Sequence, residues 1–208
     1  MLPNSQDVPA RAAGSLRDTE STDEPSWAHA SGWSQLSGER RTVSCVVAVV
    51  AHVAALPSLL PSLSDTLTEC GYPWEVIIVD VGGDEKTHRM LQGWTELPGF
   101  RAVLLDAGAS KAQAFTVGLE LARGDAVLVL GGEPPWPLRL LPDAIAQWEA
   151  GAQLVYATTD PDTGVTSLAH WDATMVEQMK SSSTPMNLPS ASSDFALLDA
   201  SVVAYLLA

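Results

Sequence analysis

The sequence predicts an α/β domain built around a mostly parallel central sheet. From residue 41 onward, short apolar runs rich in β-branched residues alternate with segments of helical periodicity. This alternation is typical of strand–helix–strand units with right-handed crossovers. The fourth apolar run stops in a turn rich in glycine and proline, residues 131–137. Because ligands of such sheets bind outside the carboxyl ends of the strands, we expect any chemistry to lie at this edge.

Five strands are expected in the regular part of the chain. Each is short, apolar and bounded by turn residues, as strands buried on both faces of a parallel sheet usually are. The first is uncharged and rich in β-branched valine, which predicts a buried strand. The predicted strands are 43–50, 74–80, 101–105, 125–130 and 153–157.

Helices are expected between these strands. In the first of them, five leucines between Leu56 and Leu67 recur at helical spacing. Gly124 follows the third helix, where we expect it to adopt the left-handed conformation of a C-terminal cap. After Thr158 the regularity falls away, with a turn expected at 160–164 and a helix at 171–180. The other predicted helices, together with the first and third, are 57–69, 85–94, 110–122, 138–150 and 200–207.

The first 40 residues differ in composition from the rest. They are rich in Ser, Asp, Glu, Gly and Ala and have almost no aliphatic periodicity, which predicts a disordered tail before a folded domain at 41–208. Trp27 and Trp33 are the exceptions. We interpret them as part of a loosely packed tail, or alternatively as anchors on the domain or on a partner protein.

Charge and hydropathy disfavour several classes of function. The net charge is −14 and the 11 Lys and Arg residues are scattered, which disfavours binding to nucleic acids and to anionic membrane surfaces. No apolar run approaches the ~18 residues of a transmembrane helix, and the N-terminus lacks a signal peptide's apolar region, so we expect a cytoplasmic protein. Cys45 and Cys70 lack metal-ligand spacing and are predicted to be buried apolar side chains.

Two polar residues at strand and helix ends are candidate nucleotide ligands. Asp80 ends the second predicted strand, where an acid accepts hydrogen bonds from a base or ribose in nucleotide-binding α/β proteins. The alternative is that Asp80 caps a helix or turn before Gly82-Gly83. Lys111 opens the helix after the third strand, where a cation and backbone amides together suit a phosphate. An exposed lysine is the alternative.

The turn after the fourth strand contains a single acid, Glu133. Divalent metals with oxygen ligands usually need two or more carboxylates or substrate phosphates, so a solvated turn residue is the favoured interpretation. Trp136 is expected to cover the end of the sheet rather than to stack on a ligand. The histidines form no catalytic triad pattern. Residues 79–84 are weakly similar to the glycine-rich loop of S-adenosylmethionine methyltransferases but lack its third glycine.

Four segments, 71–80, 118–125, 141–156 and 193–199, together resemble family 2 glycosyltransferases of the GT-A fold. The nearest resemblance is to polyprenyl- or dolichyl-phosphate sugar synthases. It implies a Rossmann-type GT-A-like sandwich, a nucleotide-sugar ligand and, in an active enzyme, Mg²⁺ or Mn²⁺. It also implies that Asp80 binds the nucleoside, that Lys111 lies near phosphate, that Glu133 is the metal candidate and that Asp194 is a catalytic candidate.

The chain departs from the family pattern at its functional positions. The family's metal-binding Asp-X-Asp is Gly131-Gly132-Glu133, and its Asp-Asp-Gly-Ser is Asp80-Val81-Gly82-Gly83. The Tyr-Asn-Glu that usually ends the first strand is Val50-Ala51-His52. A diphosphate leaving group needs its charge neutralised by metal or cations. We therefore expect a non-catalytic or weakly active binding or scaffold module, with an active transferase for a polyprenyl-phosphate or glycan acceptor as the alternative.

Overall fold

The computed structural model describes residues 41–50, 53–131, 136–181 and 195–208. The predicted tail at 1–40, with Trp27 and Trp33, lies outside the described residues, and so do Glu133 and Asp194. The prediction that the two tryptophans contact a partner protein therefore stays a prediction.

A seven-stranded sheet forms the centre of the described part of the chain, in the order β3-β2-β1-β4-β7-β5-β6. Strands β1 to β4 pair with one another in parallel. β4 and β5 both pair antiparallel with β7, so β5 runs in the same direction as the first four strands. This confirms the predicted α/β class with a mostly parallel sheet. The strands are β1 (Val43–Val49), β2 (Trp74–Val81), β3 (Phe100–Leu105), β4 (Ala126–Leu130), β5 (Leu154–Thr159), β6 (Thr166–Trp171) and β7 (Phe195–Asp199).

Helices cover both faces of the sheet. The central strand β1 is buried along its whole length, with Cys45 and Val47 in one apolar cluster and Val46 and Ala48 in the other. The first cluster includes apolar residues of α1, α2 and α4, and the second those of α3, α5 and α6. These helices are α1 (Leu56–Glu69), α2 (Glu85–Thr95), α3 (Lys111–Leu121), α4 (Leu141–Glu149), α5 (Ala173–Ser181) and α6 (Ala200–Leu206), with short 3-10 turns at Val53–Ala55 and Leu138–Leu140.

Two strands in the second half were not expected from the sequence. β6 and β7 both run antiparallel to their neighbours, and β7 lies between β4 and β5 in the sheet. β6 is half-exposed at an edge of the sheet, so its apolar residues form no continuous run. β7 is apolar, but its pairing partners are distant in the chain, and local pattern does not reveal such pairing.

The expected left-handed cap at Gly124 is wrong. Gly124 is not among the glycines with positive φ in the described ranges, and α3 ends in extended backbone at Ala122. A Cβ on Gly124 would lie 2.5 Å from the Ser44 backbone nitrogen and 2.8 Å from the Ser44 Oγ. The Gly124 amide donates to that Oγ at 2.8 Å. Glycine is required here because two backbones approach closely.

None of the helices within these ranges combines the length and apolar character that crossing a membrane requires.

Candidate functional site

Asp80 lies near the carboxyl end of β2, at the edge where β1 to β4 all finish. Its sheet neighbours in register are Val49 and Leu104, both apolar. The side chain is only 1% exposed, and neither carboxylate oxygen has a hydrogen-bond partner among the described residues. A buried carboxylate without a partner costs free energy, because it has lost water and gained little in exchange.

Two glycines shape the turn that follows Asp80. A Cβ on Gly83 would lie 1.8 Å from the Asp80 Oδ2, so the carboxylate occupies space that any other residue at 83 would fill. Gly82 has φ +68°, and its amide donates to the Leu105 carbonyl at 2.9 Å. The turn is therefore fixed to the end of β3 and leaves room for the Asp80 side chain beneath it.

Burial raises the pKa of the Asp80 carboxyl above its usual range. His88 and the Gly83 amide oppose this rise, while the neighbouring Asp84 adds to it. The His88 Nε2 lies 4.0 Å from the Asp80 Oδ2, and the His88 side chain is 38% exposed.

The capping role considered for Asp80 belongs to Asp84 instead. The Asp84 Oδ1 accepts hydrogen bonds from the Thr87 amide and from the Thr87 Oγ1, both at 2.8 Å. These bonds cap α2 and lower the pKa of Asp84. Asp80 is left with neither a capping role nor a structural hydrogen bond in this part of the chain.

Lys111 is the first residue of α3, as the sequence predicts. The preceding Ser110 forms a capping box with Gln113, in which the Gln113 amide donates to the Ser110 Oγ at 3.2 Å and the Ser110 amide to the Gln113 Oε1 at 2.7 Å. The Lys111 Nζ lies 5.8 Å from the centre of the Phe115 ring. Two of the amides expected to help Lys111 hold a phosphate are therefore engaged within the helix itself.

The described residues do not fit a divalent metal ion. Within those ranges no group of three or more His, Cys, Asp or Glu side chains is arranged to hold one. The indole of Trp136 packs against the first apolar cluster and donates to the Gly131 carbonyl at 2.7 Å. Trp136 thus covers the end of the sheet, as its favoured interpretation predicts.

His88 is the site residue that the sequence did not reveal. The sequence offered only the absence of a triad pattern, and His88 lies eight positions after Asp80 without a recognisable motif. The turn at Gly82-Gly83 brings the first turns of α2 back over the end of β2 and places the two side chains together. That geometry depends on a turn conformation that residue types alone do not specify.

The model of the family described as Glycosyl transferase family 2 matches residues 45–207. The chain belongs to glycosyltransferase family 2. This confirms the resemblance and sets aside the methyltransferase alternative. An uncharacterized glycosyltransferase of Synechocystis is 26% identical over 162 residues, which are 77% of this chain and 51% of that protein. The undecaprenyl-phosphate 4-deoxy-4-formamido-L-arabinose transferase of Pseudomonas aeruginosa is 30% identical over 115 residues, 54% of this chain and 34% of that one.

Solved structures show the same fold. A mannosyltransferase from Pyrobaculum calidifontis, in complex with GDP-Man and Mn²⁺, superposes with a TM-score of 0.53 at 20% identity, covering 87% of this chain and 53% of that one. TarS of S. aureus superposes with a TM-score of 0.52 at 15% identity, covering 79% and 48%. These neighbours are GT-A glycosyltransferases, which confirms the predicted fold. The family 2 chain described here spans about half the length of these relatives or less.

Proposed function

We propose that this family 2 domain binds a nucleotide-sugar by its nucleoside, through Asp80, and transfers the sugar weakly or not at all. One observation carries the proposal. The Asp80 carboxylate is 1% exposed at the carboxyl edge of the sheet, and both of its oxygens lack partners among the described residues. A ligand that donates hydrogen bonds to this carboxylate would offset the cost of burying it.

The chemistry of the carboxylate indicates which bases it would accept. An ionised carboxylate accepts hydrogen bonds and donates none, so its best partners are N–H groups. Uracil and guanine each carry a ring N–H, whereas adenine and cytosine present an unprotonated ring nitrogen at the corresponding position. We therefore expect uridine or guanosine nucleotides to bind more tightly than adenosine or cytidine nucleotides.

Weak transfer is proposed because the described residues near this edge include no cluster that could hold a metal on a diphosphate. The sequence has Gly131-Gly132-Glu133 where active relatives have two acids, and the described ranges contain no metal-binding cluster. The helices that begin at this edge, α2 and α3, cap part of their own N-termini with Asp84 and Ser110. A leaving diphosphate would gain less stabilisation here than catalysis requires.

An active transferase is the second candidate. It is favoured by the undecaprenyl-phosphate sugar transferase among the relatives and by the neighbour solved with GDP-Man and Mn²⁺. In this candidate Glu133 would bind Mg²⁺ or Mn²⁺, Lys111 would lie near the phosphates and Asp194 would act at the reacting centre. The acceptor would be a polyprenyl phosphate or a glycan.

Calorimetric titration of the full chain with UDP, GDP, ADP and CDP, with and without Mn²⁺, tests the proposal. UDP or GDP should bind without metal, and Asp80→Asn should weaken that binding by about 10- to 100-fold, the range for a hydrogen bond to a charged group. Asp65→Asn is the matched control, because it removes the same charge from an exposed position on α1.

The outcomes separate the two candidates. Metal-dependent binding that is lost in Glu133→Ala, together with release of sugar when a UDP- or GDP-sugar replaces the nucleotide, would favour the active transferase. Binding that Asp80→Asn leaves unchanged would contradict the role proposed for Asp80. Absence of binding to any of the four nucleotides would contradict both candidates.

A further inference from the structure

Among the described residues, His88 lies beside the buried Asp80 and reaches the solvent. The His88 Nε2 and the Asp80 Oδ2 are 4.0 Å apart, which is within ion-pair distance but too long for a direct hydrogen bond. His88 is 38% exposed while Asp80 is 1% exposed. The same Oδ2 lies where a Cβ on Gly83 would be, so it points into the turn between β2 and α2.

Among the described residues, the side chains around Asp80 differ in their effect on its charge, and His88 favours the carboxylate. From the sheet, Val49 and Leu104 flank it and carry no charge. From α2 and its cap, the acting charges are His88, which favours the carboxylate, and Asp84, which opposes it. Helix α3 packs against β1 and β2 and begins at Lys111.

We propose that His88 is a positioning residue, whose side chain favours Asp80 as a carboxylate turned into the β2–α2 turn and ready to accept an N–H from a nucleobase. The identity of the ligand rests on the proposed function of Asp80. The effect of His88 on the charge of Asp80 does not, because it follows from their distance and from the burial of the carboxylate.

The charge state of Asp80 decides what it can recognise. As a carboxylate it offers two acceptor oxygens, whereas the protonated acid carries an O–H that points a donor at the base. A nearby positive charge favours the carboxylate, so removing it should raise the pH at which Asp80 takes up its proton. Binding of a base with a ring N–H should then begin to weaken at a higher pH.

A carboxyl ¹³C NMR titration of the full chain measures this effect without any nucleotide. The Asp80 signal is assigned by its absence in Asp80→Asn. In His88→Gln the midpoint of the Asp80 titration should move to higher pH, and in His88→Lys it should return toward that of the wild type. His170→Gln, at an exposed histidine of β6, should leave it in place. An Asp80 midpoint that is the same in the wild type and in His88→Gln would overturn the proposal.

Nucleotide affinity measured on the same variants separates this inference from the proposed function. At mildly acidic pH, His88→Gln should weaken UDP or GDP binding by about twofold to fivefold, the range of a partly exposed ion pair, and His88→Lys should restore it. If Asp80→Asn binds nucleotide as the wild type does, the proposed function fails while the NMR titration still decides the role of His88. If Asp80→Asn loses binding but the midpoint is unmoved in His88→Gln, the role of His88 fails alone.

Discussion

Replacing Asp80 with asparagine is expected to stabilise the folded chain at neutral pH. The wild-type carboxylate is 1% exposed, and its two oxygens have no hydrogen-bond partner in the described ranges. An unsatisfied buried polar group costs about 1–3 kcal/mol, and a neutral amide of the same shape avoids the larger penalty of a buried charge. For a domain of this size, each kcal/mol moves the midpoint of thermal unfolding by about 2–4 °C.

The effect should depend on pH with a defined sign. Burial raises the pKa of Asp80 in the folded chain above that in the unfolded chain. The contribution of Asp80 to stability is therefore fully present below the unfolded pKa and is lost as the pH rises through the folded pKa. The advantage of the asparagine variant should be greatest at neutral pH and should disappear in acid, below about pH 4, where both states are protonated.

Urea unfolding followed by tryptophan fluorescence, repeated from about pH 3 to pH 8, measures this difference on both sides of the unfolded pKa. Asp65→Asn is again the control, since it lies on the exposed face of α1 and should change the free energy of unfolding by less than about 0.5 kcal/mol. If Asp80→Asn lowered stability at neutral pH, the carboxylate would be making favourable contacts in the folded chain, and the reasoning about its unpaired oxygens would be refuted.

Two further predictions concern the core. Gly118→Ala should destabilise the chain by about 1–3 kcal/mol, because the new Cβ would lie 2.2 Å from the Val46 Cγ1. Gly93→Ala is the matched control on the exposed side of α2. Its new Cβ would have nothing within 4 Å, so it should stabilise the chain by up to about 1 kcal/mol. Equal effects in urea unfolding would contradict this. Cys45 is fully buried and burial raises its pKa strongly, so a maleimide should label the half-buried Cys70 first and Cys45 only after unfolding. Rapid labelling of native Cys45 would show that β1 opens readily.

The parallel half of the fold could be predicted from the sequence because its signals are local. Each of β1 to β4 is an apolar run followed by a turn, and the helices between them show their own periodicity. The antiparallel half could not be predicted in the same way. β7 pairs with β4 and β5, which are far from it in the chain, and the half-exposed β6 shows no continuous apolar run. Pairing of that kind is set by tertiary packing rather than by local pattern.

The candidate site, like the fold, could be predicted only in part from the sequence. The position of Asp80 followed from a rule about strand ends, which needs only the location of the strand. Its relation to His88 and Gly83 depends on how the turn folds back, and a pattern of residue types does not contain that distance. The wrong prediction at Gly124 has the same origin. A glycine at a helix end suggested a left-handed backbone, but glycine is needed there because Ser44 of β1 lies too close for a Cβ.

A second buried polar residue in the same sheet shows why the unpaired oxygens of Asp80 are informative. Ser44 in β1 is 0% exposed, yet its Oγ donates to the Glu75 Oε1 at 2.6 Å and accepts from the Gly124 amide at 2.8 Å. Glu75 in turn pairs with Arg101 at 2.6 Å. Thus at the amino edge of the sheet a buried side chain is fully hydrogen-bonded, whereas at the carboxyl edge Asp80 is not.

This contrast argues against loose packing as the reason for the unpaired carboxylate. The described residues include three buried polar or charged side chains, Ser44, Asp80 and Thr87, and only Asp80 has unpaired side-chain atoms. Other unpaired atoms belong to side chains that stay partly exposed. Buried polar groups are nearly always satisfied in folded proteins, and an exception calls for an explanation such as a catalytic role or a bound water or ion. The nucleotide proposed to bind at the carboxyl edge would supply a hydrogen-bond donor to Asp80.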